Sequence, residues 1–231
     1  MTKTQTKKLR VKEGRTELAT DHNGQDLTFI HPSYGPNTYA AVKDLIEKDG
    51  LKPSTMAELA SLVHTAFSSV DEYSKEIWQL MRVGWLWAFT GTLYVPNKGA
   101  YVQDHPQIRS GMPSYMDLND LERKLQTNDP SVRFVPFGFE IEEMSPMQLG
   151  KNAYVIGLAG EEGAEKLAGV ADRFNQRPYL WSFRSVNEPI TIVSALGSGW
   201  GWLGRRLLVR GVSHGYDRGA CSFGVRDGAQ K

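Results

Sequence analysis

The stretch ITIVSAL at residues 190–196 decides the fold class of this 231-residue chain, together with two later runs of the same kind. The later runs are RLLV at residues 206–209 and CSFGV at residues 221–225. Each run is short and rich in branched or aromatic side chains, which predicts three strands joined by glycine-rich loops. Within these strands, alternation and clustering predict a buried set: Val193, Ala195, Leu196, Leu207, Val209, Phe223 and Val225.

The segment at residues 189–229 also has an unusual residue composition. It contains five arginines but no Lys, Glu, Gln or Met. If asparagine codons of the AAC or AAT type were randomised at both adenines, every product would end in a pyrimidine, so Lys, Glu, Gln, Met and Trp could not arise. Between residues 197 and 219, only Trp200 and Trp202 lie outside that reachable set. The rival explanation is GC-biased codon usage in a glycine-rich strand region, and the composition alone favours neither.

Upstream, the chain shows no internal repeat, and its pattern predicts one α+β domain over residues 27–226. Residues 1–26 carry six basic side chains and few large apolar ones, which predicts a flexible basic N-terminal arm. Residues 227–231 are predicted to be a short C-terminal tail. The predicted domain begins with a strand at residues 27–30.

Three helix starts are marked by capping residues. Asn37 is placed to cap a helix that ends near residue 49, and Asp117 to cap one that ends near residue 126. Thr55 and Glu58 have the spacing of a capping box, which predicts a helix after them.

The middle of the chain is less regular. Residues 84–94 are strand-like around a turn at Thr90 and Gly91. Residues 96–113 are predicted to be a loop. Asp104 and His105 in that loop could suggest acid–base chemistry, but no nucleophile lies nearby in sequence, which favours a structural role.

Residues 154–183 predict strand, helix and strand, at 154–158, 161–174 and 179–183. The glycines at residues 157–163 resemble a phosphate-binding turn. Glu161 and Glu162 would stand in the first helical turn and repel a phosphate, so helix capping is the better interpretation.

Charge and cysteine content exclude several function classes. Lys and Arg total 27 against 26 Asp and Glu, a net charge of +1, so no overall field favours nucleic acid and no such partner is expected. The single cysteine, Cys221, excludes an intramolecular disulfide and a multi-cysteine zinc site. The scattered histidines lack the spacing of a metal site, so we expect neither metal nor cofactor.

No nucleophile motif is present. Ser198 lacks the Gly-x-Ser-x-Gly elbow, and Cys221 beside Phe223 in an apolar strand predicts an inert thiol. No apolar run approaches the roughly 20 residues of a membrane span, and the N-terminus is polar. We therefore expect no catalytic residues, no membrane insertion and synthesis in the cytoplasm, with virion association or surface display left open.

Six motifs carry a family resemblance. They are VPFGF at 135–139, AGEEGAEK at 159–166, PYLWSF at 178–183, IVSAL at 192–196, RLLVRG at 206–211 and SFGVR at 222–226. Together they resemble the variable proteins of diversity-generating retroelements, of the archaeal or archaeal-virus type, over about residues 27–226. Cys221 and Ser222 depart from that pattern, which has a small apolar pair before Phe-Gly-Val.

The resemblance implies a C-type-lectin-like fold, with a formylglycine-generating-enzyme-like variant as an alternative. That oxidase would need paired reactive cysteines, and a calcium-dependent lectin would need clustered ligands where this chain has only Asp217 and Asp227. The resemblance also implies a non-enzymatic protein, diversified by reverse transcription with errors at adenines, whose varied residues bind a protein or glycan such as a host receptor. A calcium-independent sugar-binding lectin and a structural virion component without diversification stay open, as does the oligomeric state.

On such a fold the variable region, at about residues 196–225, cannot supply the core. Strand alternation places Arg206, Leu208 and Arg210 on one face, opposite Leu207 and Val209. Aromatic and arginine side chains dominate interface hot spots. The predicted ligand-binding residues are Trp200, Trp202, Leu203, Arg205, Leu208, Arg210, Val212, Ser213, His214, Tyr216 and Arg218. For Trp200 and Trp202, burial in the core is the alternative.

Overall fold

The computed structural model describes residues 10–12, 15–109, 112–198, 205–213 and 215–226. The helices in these ranges are α1 (Tyr39–Lys48), α2 (Met56–Phe67), α3 (Glu72–Val83), α4 (Leu118–Gln126), α5 (Pro146–Lys151) and α6 (Ala153–Ala171). The strands are β1 (Arg10–Lys12), β2 (Arg15–His22), β3 (Gln25–Tyr34), β4 (Lys52–Pro53), β5 (Trp85–Val95), β6 (Gly99–Asp104), β7 (Gln107–Arg109), β8 (Met112–Tyr115), β9 (Val132–Pro136), β10 (Glu142–Glu143), β11 (Tyr179–Trp181), β12 (Ile190–Ser198), β13 (Leu207–Ser213) and β14 (Ala220–Arg226). The predicted α+β class is confirmed.

Twelve of the described strands join one mixed sheet. Its main path runs β1-β2-β3-β14-β5-β12-β13-β11-β10, while β4 pairs with β14, and β6 links β5 to β9. β14 is parallel to β5, and β11 is parallel to β13, whereas the other pairings are antiparallel. β7 and β8 form a separate hairpin. The three strands predicted near the C-terminus are confirmed as β12, β13 and β14, and they lie in the middle of this sheet.

Helices cover the sheet on both faces. On the inner face, α2 and α6 pack with side chains such as Leu196 and Val209 in the larger core. On the outer face, Tyr39 of α1 packs against Trp87 and Phe89, with ring centroids 5.7 and 4.5 Å away. A sheet covered on both faces buries both alternating sets of a strand's side chains.

Two of the predicted helix caps are confirmed. In the capping box before α2, the Glu58 N–H donates to Thr55 Oγ1 (3.3 Å) and the Thr55 N–H donates to Glu58 Oε2 (2.7 Å). At α4, Asp117 accepts the Asp120 N–H. The cap predicted at Asn37 is wrong. Its side chain accepts the N–H of Thr38, its immediate neighbour, and Thr38 is itself the cap residue of α1.

The predicted N-terminal arm is too long. β2 pairs with β3 over its whole length, and Leu18 on β2 is buried in the larger core. Lys166 of α6 fastens the hairpin by donating from Nζ to the Asp21 carbonyl (2.7 Å) and to Ser61 Oγ (2.9 Å). A strand with one covered face needs an apolar residue only at alternate positions, so the sparse apolar content was a poor guide. Residues 1–9 lie outside the described residues.

The strand predicted at residues 154–158 is wrong, and with it the strand-helix-strand unit. These residues form the first half of α6, where the Asn152 side chain accepts the N–H groups of Tyr154 and Val155. Gly160, with φ of 71°, interrupts the helix, so the helix predicted from Glu161 is its second half. A short apolar run fits a buried helix as well as a strand, and the sequence pattern could not separate them.

Two expectations for the middle of the chain are also wrong. β5 passes through Thr90 and Gly91 without a turn, and Gly91 serves close packing because a Cβ there would lie 2.8 Å from Pro106 Cγ. The predicted loop at residues 96–113 contains β6, β7 and the start of β8. Asp104 ends β6. Its carboxylate forms an ion pair with Arg133 and accepts a hydrogen bond from the Thr90 hydroxyl, so its role is structural.

Candidate ligand-binding surface

The C-terminal strands supply a rigid frame for the candidate surface. β12 lies between β5 and β13, and β14 lies between β3 and β5. All seven side chains predicted to be buried in these strands are at most 1% exposed. The predicted frame is therefore confirmed.

Several predicted ligand-binding residues face solvent. Arg205, Tyr216 and Arg218 are exposed, Tyr216 by 64%. Val212 and Ser213 belong to β13, but their side chains lie outside the description. Four other predicted ligand-binding residues lie entirely outside the described residues: Trp200, Trp202, Leu203 and His214.

The expectation that Leu208 is exposed is wrong. Its side chain is 1% exposed, although alternation correctly separates it from Leu207 and Val209. β13 is an interior strand here, and Leu208 lies between Gly197 on β12 and Tyr179 on β11. The outer face is covered at Leu208, which buries this side chain, whereas Arg206 and Arg210 on the same face are only partly buried.

Arg210 is partly buried and has an aromatic neighbour. Its guanidinium carbon lies 4.9 Å from the centre of the Trp85 ring, a cation–π contact. Its Nε is buried and has no hydrogen-bond partner among the described residues. Burial lowers the pKa of the Arg210 guanidinium, and the Asp217 carboxylate opposes that shift. Arginine titrates far above neutral pH, so Arg210 stays charged.

The sequence argument missed the residues that surround Arg210 from outside the variable region. Trp85 on β5 is directly opposite Gly197, where a Cβ would lie 2.8 Å from the Trp85 ring, and Trp181 on β11 is directly opposite Arg210. Alternate aromatics at Trp85 and Trp87 signalled a common face. Nothing in the sequence indicated which strands would be their neighbours.

Beneath the surface, a network of hydroxyl groups holds β13 to the core. Tyr94 Oη is within hydrogen-bond distance of the Gly211 carbonyl oxygen (3.2 Å), Tyr154 Oη (2.7 Å) and Ser182 Oγ (2.7 Å), and it can donate its single proton to one of them. Thr92 Oγ1 is 3.0 Å from Tyr154 Oη. Burial raises the pKa of Tyr154 to about 12, so its phenol stays neutral and can serve the network as both donor and acceptor.

The described residues show little reactive chemistry. Cys221 is buried, and burial raises the pKa of its thiol, which agrees with an inert structural cysteine. Among the described residues, no group of three or more His, Cys, Asp or Glu side chains is arranged to hold a metal ion. None of the helices in the described ranges has the length and apolar character of a membrane span.

Comparison with known proteins identifies the architecture. No protein-family model and no curated protein matches the chain. One solved structure, described as the accommodation of massive sequence variation in Nanoarchaeota by the C-type lectin fold, is 14% identical, with a TM-score of 0.54. The match covers 89% of this chain and 100% of that one. This chain has the C-type lectin fold.

Within this C-type lectin fold, the candidate surface combines residues of two origins. Arg205, Arg210, Tyr216 and Arg218 come from the C-terminal segment, while Trp85 and Trp181 come from strands that lie outside it. Trp85 and Trp181 thus stand beside Arg210 of the unusual segment. Such an arrangement can bind a ligand through arginine and aromatic contacts.

Proposed function

We propose that this protein is a ligand-binding display protein that carries a diversified surface on a fixed C-type lectin frame. Adenine-directed mutagenic reverse transcription would vary the exposed C-terminal side chains, and these would bind a host or environmental receptor. The observation that carries the proposal is the division within one segment. Frame side chains at most 1% exposed are interleaved with exposed Arg205, Tyr216 and Arg218.

Two further observations support the proposal. The segment lacks the residue types that adenine randomisation of AAC or AAT codons cannot produce, apart from Trp200 and Trp202. The similar solved structure is described as one in which the C-type lectin fold accommodates massive sequence variation. A surface that varies can be tolerated only where the frame beneath it does not depend on the varied side chains.

The diversification is tested by the DNA around the gene. We expect a reverse transcriptase gene and an imperfect second copy of the region that encodes about residues 196–225. The two copies should differ only where the second has adenine, with differences at the codons of exposed residues such as Tyr216. The codons of Leu207, Gly211 and Phe223 should be identical. Differences spread evenly over all four bases, or concentrated in the frame codons, would contradict the proposal.

The binding role is tested with a triple variant, Arg205→Ala, Tyr216→Ala and Arg218→Ala. On a panel of immobilised cell-surface proteins and glycans, binding by the parent should be lost in the variant. Exposed sites usually shift stability by under about 0.5 kcal/mol each, so thermal unfolding should stay nearly unchanged. The matched control, Arg123→Ala, Met147→Ala and Lys151→Ala, removes a similar set of exposed side chains elsewhere. Equal binding by parent and triple variant would refute the surface assignment.

A further inference from the structure

Three side chains, on β5, β13 and β11, share the outer face of the sheet next to the C-terminal segment. Trp85 is opposite Gly197, Gly197 is opposite Leu208, and Arg210 is opposite Trp181. Directly opposed residues and residues two apart on a strand leave the sheet on the same side. Trp85, Arg210 and Trp181 therefore lie together on one face, as the contact between Arg210 and Trp85 also shows.

Two hydrogen-bond donors on this face have no acceptor among the residues that the structure describes. Arg210 Nε and Trp181 Nε1 are both buried, and neither has an acceptor among the described residues. Both atoms carry an N–H that can only donate. A buried donor without an acceptor costs free energy, and the cost is greater for a charged group. An acceptor supplied by a ligand would remove that cost at both positions.

The charge at this point indicates which acceptor fits. Arg210 is one half-buried cation, and its guanidinium presents a planar fork that matches the two oxygens of a carboxylate. Contact with Trp85 restricts the orientation of that fork. A phosphate monoester carries nearly two charges at neutral pH, so the Asp217 carboxylate near Arg210 disfavours it more than it disfavours a carboxylate with one charge. A carboxylate, with one charge, matches the site.

The surroundings indicate the source of the carboxylate. Arg205, Tyr216 and Arg218 are exposed on the same segment, and Tyr179 packs beside Trp181 with ring centroids 5.5 Å apart. Tyrosine, tryptophan and arginine are the side chains enriched at the centres of protein–protein interfaces. We propose that Arg210 and Trp181 form a subsite that binds the carboxylate of an aspartate or glutamate on a protein partner.

This inference rests on the proposed function. It adds that the subsite combines a hydrogen-bond donor that diversification does not change with a donor that it can change. Trp181 lies outside the variable region, whereas Arg210 lies inside it. Replacing residue 210 by diversification would change the charge of the subsite while the indole N–H stays in place. Acidic partners would then be specific to variants that carry arginine at this position.

The test follows the indole N–H signal of Trp181 by NMR in the full chain, assigned with Trp181→Phe, during titration with N-acetylglutamate α-amide, whose only charge is the side-chain carboxylate, at constant ionic strength. We expect a saturable shift at millimolar concentration and no shift with the uncharged N-acetylglutamine α-amide. Arg210→Met should weaken binding at least tenfold, and Arg210→Lys should weaken it less, because lysine keeps the charge but loses the fork. The matched control Arg123→Met should bind as the parent does.

Folding is checked by the thermal unfolding midpoint, which should not fall in Arg210→Met, because the variant removes a partly buried cation whose Nε has no acceptor among the described residues. Trp181→Phe keeps a ring and removes the N–H, so calorimetry on it gives a second test, with weaker binding expected. Equal shifts with N-acetylglutamine α-amide, or parent-like binding by Arg210→Met, would overturn the subsite. Binding of N-acetylneuraminic acid tenfold more tightly than N-acetylglutamate α-amide would overturn the protein-partner assignment and indicate an acidic glycan.

The outcome for the subsite can be separated from that for the proposed function. If N-acetylglutamate α-amide does not bind but the triple variant still loses panel binding, only the subsite fails. If N-acetylglutamate α-amide binds but the gene has no imperfect second copy and the triple variant binds normally, the display function fails and the subsite stands.

Discussion

Replacing Phe223 with alanine should lower the free energy of unfolding by about 3–5 kcal/mol, because it removes a fully buried ring and leaves a cavity. Phe223 is 0% exposed on β14, and its ring meets Phe29 of β3 edge-on at 6.4 Å. Both strands lie inside the sheet, where neighbouring side chains cannot collapse freely into the space. Urea unfolding of parent and variant measures the loss as a lower midpoint with an unchanged slope.

The matched control for this prediction is Tyr216→Ala in the same segment. Tyr216 is also aromatic but 64% exposed, so its truncation should change the free energy of unfolding by under about 0.5 kcal/mol. A fixed frame with a variable surface requires this contrast within a few residues. Similar losses in both variants would show that Tyr216 supports the core and that the division between frame and surface is wrong.

Replacing Gly211 with alanine is the second large change, with an expected loss of about 1–3 kcal/mol from overpacking. The new Cβ would lie 2.4 Å from Tyr154 Oη and 2.8 Å from Tyr154 Cε1. Tyr154 is 0% exposed, and its hydroxyl is engaged by Thr92 and Tyr94. It cannot move aside without breaking hydrogen bonds, each of which contributes about 1 kcal/mol.

Two companion variants identify the cause of that loss. Tyr154→Phe combined with Gly211→Ala removes the hydroxyl that is struck first, so the double variant should lose less than the sum of the two single variants. Gly169→Ala is the control, because its Cβ would meet His64 Cδ2 at an ordinary 3.4 Å. On helix α6 that substitution should raise stability by about 0.5–1 kcal/mol. A neutral Gly211→Ala would show that position 211 can vary and that β13 is held less tightly than the network implies.

The effect at Gly211 bears on the extent of the variable region. Exposed positions on either side of it, such as Arg205 and Tyr216, can change without touching the core. Gly211 cannot, because the tyrosine network occupies the space a side chain would need. Under the proposed function, diversification of this segment would be confined to positions between fixed ones.

Local signals in the sequence predicted local structure well. Thr55 and Glu58 form the capping box, and Asp117 caps its helix, because these contacts involve residues three apart. The C-terminal strands and their buried frame also followed from the alternation and clustering of apolar residues, which are properties of the local sequence. The C-type lectin fold was expected from the motifs and is found.

Only the tertiary structure decided which faces are covered and which strands are neighbours. Alternation placed Leu208 correctly opposite Leu207, but its burial depends on the covered outer face between β11 and β12. The apolar run after Asn152 became helix because that side chain caps it and α2 packs against it. The grouping of Trp85, Arg210 and Trp181 joins strands that are up to 125 residues apart in sequence. Sequence periodicity fixes the direction of a side chain, whereas long-range packing fixes what that side chain meets.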